Sequence, residues 1–169
     1  MGSVEKAAYS VSEAATAADF AAARSLFEEY AAQLRIDLCF QGFAAELDQL
    51  QQIYSAPTGC LLLARCCDIP EPLGCGAVRR LSADTCEMKR LYLRSSTRGM
   101  KLGRRLAEAL VQRALSLGYA RMYLDTLAEM TAARALYRSM GFREIGPYYR
   151  NPSAGVVYME LDLRSWKER

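Results

Sequence analysis

The sequence predicts a mixed β-sheet with helices packed on it. Two observations carry this prediction. Strand-like segments follow one another between residues 60 and 94, and strand, helix, strand, helix and strands then alternate to the end of the chain. If the strands at 85–94 and 120–126 are parallel, the helix between them completes a right-handed βαβ unit.

Length and composition fit a globular protein. The 169 residues, 51% of them hydrophobic, are expected to form a single domain over 1–169, with residues 1–7 flexible. A chain of this size buries about 70% of its unfolded surface and needs no disulfide to fold. No apolar run approaches the roughly 20 residues of a membrane helix, and a net charge of +3 is too small to indicate nucleic-acid binding. We therefore expect a cytoplasmic protein that binds neither membrane nor nucleic acid.

In the first half of the chain, apolar spacing predicts two helices. They run from Ala17 to Leu34 and, as a shorter element, from Phe43 to Ile53. The segment at 68–74 contains two prolines and is interpreted as a turn. The expected strands lie at 9–14, 60–66, 75–81 and 85–94.

In the second half, the pattern predicts two further helices. One runs from about 101 to 117, with Gly118 just past its end, and the other covers 131–142 and is closed by Gly141. The remaining strands are expected at 120–127, 143–145 and 155–163.

Cysteine and histidine content limits the chemistry. The chain has six cysteines and no histidine. We interpret the cysteines as buried free thiols in a reducing cytosol, because no C-x-x-C pair occurs. Without histidine, Ser-His and Cys-His nucleophiles and most zinc sites are excluded, and we predict no metal site. Acid–base chemistry is left to carboxylates, tyrosine, cysteine or water.

The start of the helix near residue 101 is unusually basic. Its cations are Arg98, Lys101, Arg104 and Arg105. A helix start carries the positive end of the backbone dipole and unpaired N–H groups, so cations there are unfavourable. Glycines at 99 and 103 would let a ligand approach the backbone, and a bound anion would reverse the penalty. The segment therefore predicts a phosphate site, and the alternative is a solvated basic helix end.

Two segments resemble motifs of the GNAT acetyltransferase superfamily. RGMKLG at 98–103 is similar to its acyl-CoA-binding signature Q/R-x-x-G-x-G/A, with Lys101 in place of the middle glycine. ALYRSMGF at 135–142 is similar to the A-x-x-x-L-Y-x-x-x-G-F segment near the end of such domains. The resemblance covers about residues 8–163. It implies a mostly antiparallel sheet of six or seven strands with a splayed central parallel pair, flanked by about four helices.

The resemblance also implies an activity, the transfer of an acetyl group from acetyl-CoA to a primary amine by direct attack in a ternary complex. The diphosphate would bind the glycine-containing turn, and the pantetheine arm would lie along the preceding strand, whose N–H groups would polarise the thioester carbonyl. The implied cofactor-binding residues are Leu91, Tyr92, Leu93, Arg98, Gly99, Met100, Lys101, Leu102, Gly103, Arg104 and Thr126.

Two residues are candidates for catalysis. The resemblance implies that Tyr137 protonates the departing thiolate, although its helical position fits a core tyrosine as well. Glu87 is the candidate base, because some family members carry a catalytic glutamate eleven residues before the position of Arg98. The alternatives are that Glu87 pairs with Lys89 or orders the substrate, and that a tyrosine or water relay removes the proton.

The sequence departs from the family pattern at two positions. At Lys101 we expect a negative φ, which lysine adopts without strain. At Met130 many members have an asparagine that contacts pantetheine, so this contact is missing or has moved to Thr126 or Thr131.

The sequence does not separate a small-molecule amine, a peptide N-terminus and a lysine side chain as the acceptor, and it leaves a homodimer open. Acids that would attract a cationic amine, or only form a solvated helix face, are Glu28, Glu29 and Asp37. Residues that would line an acceptor pocket, or only shape a loop, are Tyr148, Tyr149 and Asn151. Two rival functions are a non-catalytic acyl-CoA-binding sensor or scaffold and a nucleotide-binding module of a different fold.

Overall fold

The computed structural model describes residues 9–34, 38, 42–97 and 99–167, so the flexibility expected for residues 1–7 lies outside the described part. The strands are β1 (Tyr9–Glu13), β2 (Cys60–Cys66), β3 (Ile69–Arg80), β4 (Thr85–Leu93), β5 (Arg121–Leu127), β6 (Arg143–Ile145) and β7 (Val156–Asp162). The α-helices are α1 (Ala17–Leu34), α2 (Phe43–Asp48), α3 (Leu50–Ile53), α4 (Leu102–Ser116) and α5 (Thr131–Met140).

The seven strands of the described residues form one sheet in the order β1-β2-β3-β4-β5-β7-β6. All neighbouring strands are antiparallel except β4 and β5, which are parallel and are joined by α4. This arrangement confirms the predicted fold class, a mostly antiparallel mixed sheet with a central parallel pair and flanking helices.

The helices cover both faces of the sheet and form two cores. On one face α4 buries Leu102 and Leu106, one helical turn apart, together with residues of α5. On the other face α1 and α3 pack over β2, β3 and β4. Residues of β2 alternate between the cores, with Leu62 in the first and Leu61 and Leu63 in the second. Full burial of each such leucine stabilises the fold by about 2 kcal/mol.

Most element boundaries match the sequence prediction, but the turn predicted at 68–74 is wrong. Strand β3 begins at Ile69 and includes Pro70 and Pro72. Its ladder to β4 begins at Gly74, so the missing N–H groups of the prolines break no bond to that strand. The helix predicted at 43–53 is divided into α2 and α3 at Gln49.

The cysteines follow the predicted pattern with one correction. Cys60, Cys66, Cys75 and Cys86 are buried free thiols, whereas Cys67 is exposed. The remaining cysteine, at position 39, lies outside the described residues. Within the described part of the chain, no helix combines the length and apolar character needed to cross a membrane.

Candidate active site

The candidate site is a cleft that opens where β4 and β5 separate. These strands pair at Thr85–Glu87 and Arg121–Tyr123, and their described residues beyond that point are not paired with each other. The resulting cleft has a volume of about 840 Å³. It is walled by the ends of both strands, by the last turns of α1 and by the start of α5. The sequence-predicted residues Leu91, Tyr92, Leu93 and Thr126 all line it.

Strand β4 carries a bulge beside the cleft. Cys75 of β3 pairs with Tyr92 of β4, and Ala77 pairs with Lys89. An advance of two residues along β3 therefore matches an advance of three residues along β4. Within the bulge Arg90 has a φ of 56°, a conformation uncommon for residues other than glycine. Because a bulge leaves one residue out of the ladder, it frees main-chain groups of β4 beside the cleft.

The bulge is held by a buried ionic network. Arg90 donates from Nε to Oε1 of Glu46 at 3.0 Å and from Nη2 to Oε2 at 2.5 Å. The hydroxyl of Tyr54 donates to the same Oε1 at 2.6 Å. Burial is the largest single influence and would raise the pKa of Glu46, but the hydrogen bonds and charge of Arg90, with smaller contributions from Tyr54 and Lys89, together lower that pKa. The network therefore keeps Glu46 charged and ties α2 to the bulge.

Tyr137 contributes to the cleft wall from α5. Its side chain is 7% exposed, and its ring lies 5.6 Å from that of Phe142. Burial, with smaller contributions from Tyr30 and Asp125, raises the pKa of Tyr137 well above its usual value. The hydroxyl is thus protonated at neutral pH. Tyr137 belongs to the core and also borders the cleft. A packing role and a role as general acid are therefore compatible with its position.

A second cavity, of about 290 Å³, lies at the start of α4. Its wall includes the sequence-predicted residues Gly99, Lys101, Leu102 and Gly103. It shares Gln33 and Leu93 with the wall of the cleft, so the two spaces adjoin.

Gly103 packs closely against β4. A Cβ atom at this position would lie 3.3 Å from Cδ1 of Leu93, which is closer than most Cβ contacts. A side chain here would therefore press on Leu93, which borders both spaces. Met100, also predicted to bind the cofactor, is 42% exposed and does not line this cavity.

The expectation of a negative φ at Lys101 is wrong. The residue has φ 55° and ψ 15°, the left-handed conformation, and it occupies the N-cap of α4 without a side-chain capping bond. This is the position of the middle glycine in the resembling signature. The substituting lysine therefore adopts the backbone conformation that suits glycine, at a cost of about 1 kcal/mol.

The described cations of the basic helix start face different directions. Arg104 donates to Glu108 at 3.1 Å and to the hydroxyl of Ser139, and Arg105 donates to the carbonyl of Tyr9 at 3.2 Å. Lys101 lines the second cavity. Arg98, the first residue of the resembling motif, lies outside the described residues.

Glu87 is fully buried and both of its carboxylate oxygens are bound. Arg79 Nε donates to Oε2 and the hydroxyl of Tyr148 donates to Oε1, each at 2.6 Å. Its ion pair is therefore with Arg79 on β3 rather than with Lys89. Glu87 does not line the cleft. In this structure, the sequence-predicted base has no oxygen directed at the cleft.

Another carboxylate, which the sequence reasoning missed, does line the cleft. Asp125 on β5 is half-buried and borders both the cleft and a smaller adjoining cavity. Its Oδ2 accepts from the hydroxyl of Tyr149 at 2.9 Å and from Asn151 Nδ2 at 3.4 Å. These donors are neutral, so Asp125 has no ion pair among the described residues. No local sequence pattern marks Asp125, because its place beside the cleft depends on the point where β4 and β5 separate.

The loop between β6 and β7 packs against the sheet through its tyrosines. Tyr148 packs against Tyr123 and Tyr158 with ring centroids 5.0 and 5.3 Å away. The adjoining small cavity is lined by Asn151 but not by Tyr148 or Tyr149. The tyrosines thus shape the loop and hold it to Glu87 and Asp125, whereas Asn151 reaches the cavity.

The acids of α1 do not face this cavity. Glu29 makes a two-pronged ion pair with Arg94 at 2.6 and 3.0 Å, and Glu28 pairs with Arg24 on the exposed helix face. Asp37 lies outside the described residues. Thr126 and Met130 meet in the cleft wall, where the threonine hydroxyl lies 3.6 Å from the methionine sulfur.

Known proteins resemble this chain in sequence and in fold. The model of the acetyltransferase (GNAT) family matches residues 21–142. An uncharacterised N-acetyltransferase of Schizosaccharomyces pombe is 42% identical over 141 residues, which cover 83% of this chain and 86% of that protein. A GNAT-family acetyltransferase structure from Staphylococcus aureus has a TM-score of 0.76 and 18% identity, covering 92% of this chain and 99% of its own. A Salmonella typhimurium structure with its cofactor acetyl-CoA has a TM-score of 0.65 and 19% identity, with coverages of 92% and 94%.

Proposed function

Since the chain belongs to the GNAT acetyltransferase family, we propose that it transfers the acetyl group of acetyl-CoA to a primary amine by direct attack in a ternary complex. The observation that carries the proposal is the cleft between β4 and β5, which adjoins the cavity at the start of α4 and is bordered by Tyr137 and Asp125. The acetyl-CoA of the Salmonella typhimurium neighbour supports the same cofactor here.

The cofactor would span both spaces. The diphosphate would occupy the cavity at the start of α4, where backbone N–H groups of 99–104 and the Lys101 ammonium favour an anion. The pantetheine arm would lie along Leu91–Leu93, beside Thr126 on the facing strand. A main-chain N–H freed by the bulge of β4 would then donate to the thioester oxygen, where negative charge develops.

Tyr137 would act as the general acid. Departure of CoA leaves a thiolate, which needs a proton from a group that is still protonated at neutral pH. The raised pKa of the buried Tyr137 hydroxyl meets this requirement. Its place in the cleft wall supports proton donation to a sulfur atom inside the cleft.

Asp125 would accept the proton of the attacking amine, directly or through water. An ammonium group cannot attack a carbonyl, so a base must remove a proton. Asp125 borders the cleft and binds neutral donors, whereas both oxygens of Glu87 are occupied. Glu87 would instead be a positioning residue that holds Tyr148, and through it the β6–β7 loop.

An amine panel tests the function. Purified protein and acetyl-CoA are mixed with small amines, peptides with free N-termini and lysine peptides, and the thiol released from acetyl-CoA is measured. Thiol release that depends on one class of amine supports the proposal and identifies the acceptor class. Tight acetyl-CoA binding without amine-dependent release from any class would favour the sensor, although the family's N-acetyltransferases support an enzyme.

The phosphate site has a separate test, Gly103→Glu. We expect the acetyl-CoA Kd to rise about 100-fold, because a carboxylate about 5 Å from a phosphate repels it by about 3 kcal/mol. Gly146→Glu is the matched control, because that glycine has open space around it and lines neither the cleft nor the cavity at the start of α4. Calorimetry measures both variants. Unchanged affinity in Gly103→Glu would remove the diphosphate from this cavity.

A further inference from the structure

Lys89 is a buried amine beside the acetyl-transfer cleft. It lies on β4, between Glu87 and the bulge, and is 6% exposed. It lines a cavity of about 50 Å³. This small cavity and the cleft share residues of their walls, among them Asp125 and Thr126. The Lys89 side chain therefore borders a space that adjoins the expected position of the thioester.

Burial and four nearby charged groups act on the protonation of Lys89. Burial is the largest influence and lowers the pKa of Lys89. The carboxylates of Glu87 and Asp125 oppose this effect, and the guanidinium groups of Arg90 and Arg79 add to it. A lowered pKa raises the fraction of Nζ that is unprotonated at neutral pH. The unprotonated amine is the form that attacks a thioester.

We propose that the protein acetylates its own Lys89. The unprotonated Nζ attacks the thioester carbonyl of bound acetyl-CoA, a C–N bond forms, and the C–S bond breaks with its electron pair on sulfur. The nitrogen loses one proton to Asp125 or water, and the thiolate gains one from Tyr137, so the products are acetyl-lysine and free CoA. This inference rests on the proposed function, because it uses the same cofactor and the same acid.

The small cavity offers a place for this modification. It adjoins the cleft, so an acetyl group on Lys89 would lie where the two spaces meet. Acetyl-lysine would fill the space bordered by Asp125 and Asn151 and would remove one positive charge beside them. The modified protein would thus lose room for an acceptor amine, so self-acetylation would limit turnover.

The chain supplies an internal control for the test. It has four lysines: Lys6, Lys89, Lys101 and Lys167. Lys167 is exposed and lines neither the cleft nor the cavity at the start of α4, so it reports ordinary chemical acetylation by the thioester. A reaction inside the site should modify Lys89 before Lys167, despite the burial of Lys89.

The experiment incubates wild-type protein with acetyl-CoA and no amine, and follows acetylation of each lysine by mass spectrometry of peptides. We expect the rate at Lys89 to exceed that at Lys167 by at least about tenfold, because binding holds the thioester beside the Lys89 amine. An excess of CoA should suppress labelling of Lys89 without affecting Lys167. Lys89→Arg should abolish the fast phase while circular dichroism shows a folded protein.

Two results would overturn the inference in distinguishable ways. If calorimetry on the same sample shows acetyl-CoA binding while Lys89 is unmodified, or is modified no faster than Lys167, self-acetylation is wrong and the proposed function stands. If acetyl-CoA does not bind at all, both proposals fail.

Discussion

At the scale of single residues, two carboxylates of neighbouring strands have opposite environments. Glu87 is bound by a guanidinium and a phenol and is fully buried, whereas Asp125 binds two neutral donors and borders the cleft. The partners of Glu87 hold its carboxylate in a fixed position. The carboxylate of Asp125 can be approached from the cleft by a cationic amine.

The two carboxylates can be separated by isosteric substitutions. We expect Asp125→Asn to lower kcat about 100-fold with little change in acetyl-CoA affinity, because proton removal loses its base. Glu87→Gln should lower the free energy of unfolding by about 2 kcal/mol, because it leaves Arg79 without its counter-charge, and should change kcat less than tenfold. Steady-state kinetics and urea unfolding measure both variants. A larger kcat loss in Glu87→Gln than in Asp125→Asn would return the role of base to Glu87.

Tyr137 can be tested by removal of a single oxygen. Tyr137→Phe should lower kcat about 100-fold, because the thiolate loses its acid, while the Kd for acetyl-CoA stays within about threefold. Tyr119→Phe is the matched control, since the Tyr119 hydroxyl donates to the Thr58 carbonyl at 2.6 Å outside the cleft wall. Steady-state kinetics with a good acceptor measure kcat for both variants. Wild-type turnover in Tyr137→Phe would make it a packing residue.

The positions of some candidate-site residues follow from the sequence more directly than those of others, for a physical reason. The position of Tyr137 follows from helical periodicity and a motif, both of which are local. The partners of Glu87 are not local, because Arg79 is brought opposite by the antiparallel register of β3 and β4 and Tyr148 comes from a distant loop. Asp125 was missed because its place beside the cleft depends on where the parallel pair separates, which no local pattern reports.

At the scale of elements, the helices were predictable and the irregularities of strands and turns were not. The bounds of α1 agree with the prediction because its apolar spacing is regular. The bulge at Arg90 gives no sequence signal, since arginine is not a residue that usually adopts positive φ. The start of β3 is not predictable from the sequence, because the prolines at 70 and 72 favour a turn. In the structure they lie in the strand, where no hydrogen bond to β4 is needed.

The turn before α4 combines strain with charge, and Lys101→Gly separates them. Glycine relieves the left-handed backbone, so we expect the free energy of unfolding to rise by about 1 kcal/mol. The same change removes an ammonium from the cavity wall, so the acetyl-CoA Kd should rise about tenfold at low salt.

Lys101→Asn is the control for this prediction, because asparagine tolerates the left-handed conformation and carries no charge. It should lose affinity as the glycine variant does. Urea unfolding and calorimetry at two salt concentrations measure both properties. Unaltered affinity in both variants would show that the Lys101 side chain points to solvent when the cofactor binds.

At the scale of the whole molecule, the cleft depends on contacts between layers. The small helices after α1 lie on one face of the sheet, and their polar contact with β4 is the network of Arg90, Glu46 and Tyr54. The network fixes the bulge, and the bulge shapes one wall of the cleft. Stability and cofactor binding should therefore be coupled through Glu46, although Glu46 does not line the cleft.

Glu46→Gln tests this coupling. The substitution leaves the buried Arg90 guanidinium uncompensated, so we expect the free energy of unfolding to fall by about 3 kcal/mol. Glu13→Gln is the matched control, since Glu13 pairs with Arg113 at 2.9 Å in an exposed bridge, whose loss costs less than about 1 kcal/mol. Acetyl-CoA affinity should fall in the first variant and not in the second, because only the first disturbs β4. Urea unfolding and calorimetry compare them, and a large stability loss with unchanged affinity would show that the bulge keeps its shape without the ion pair.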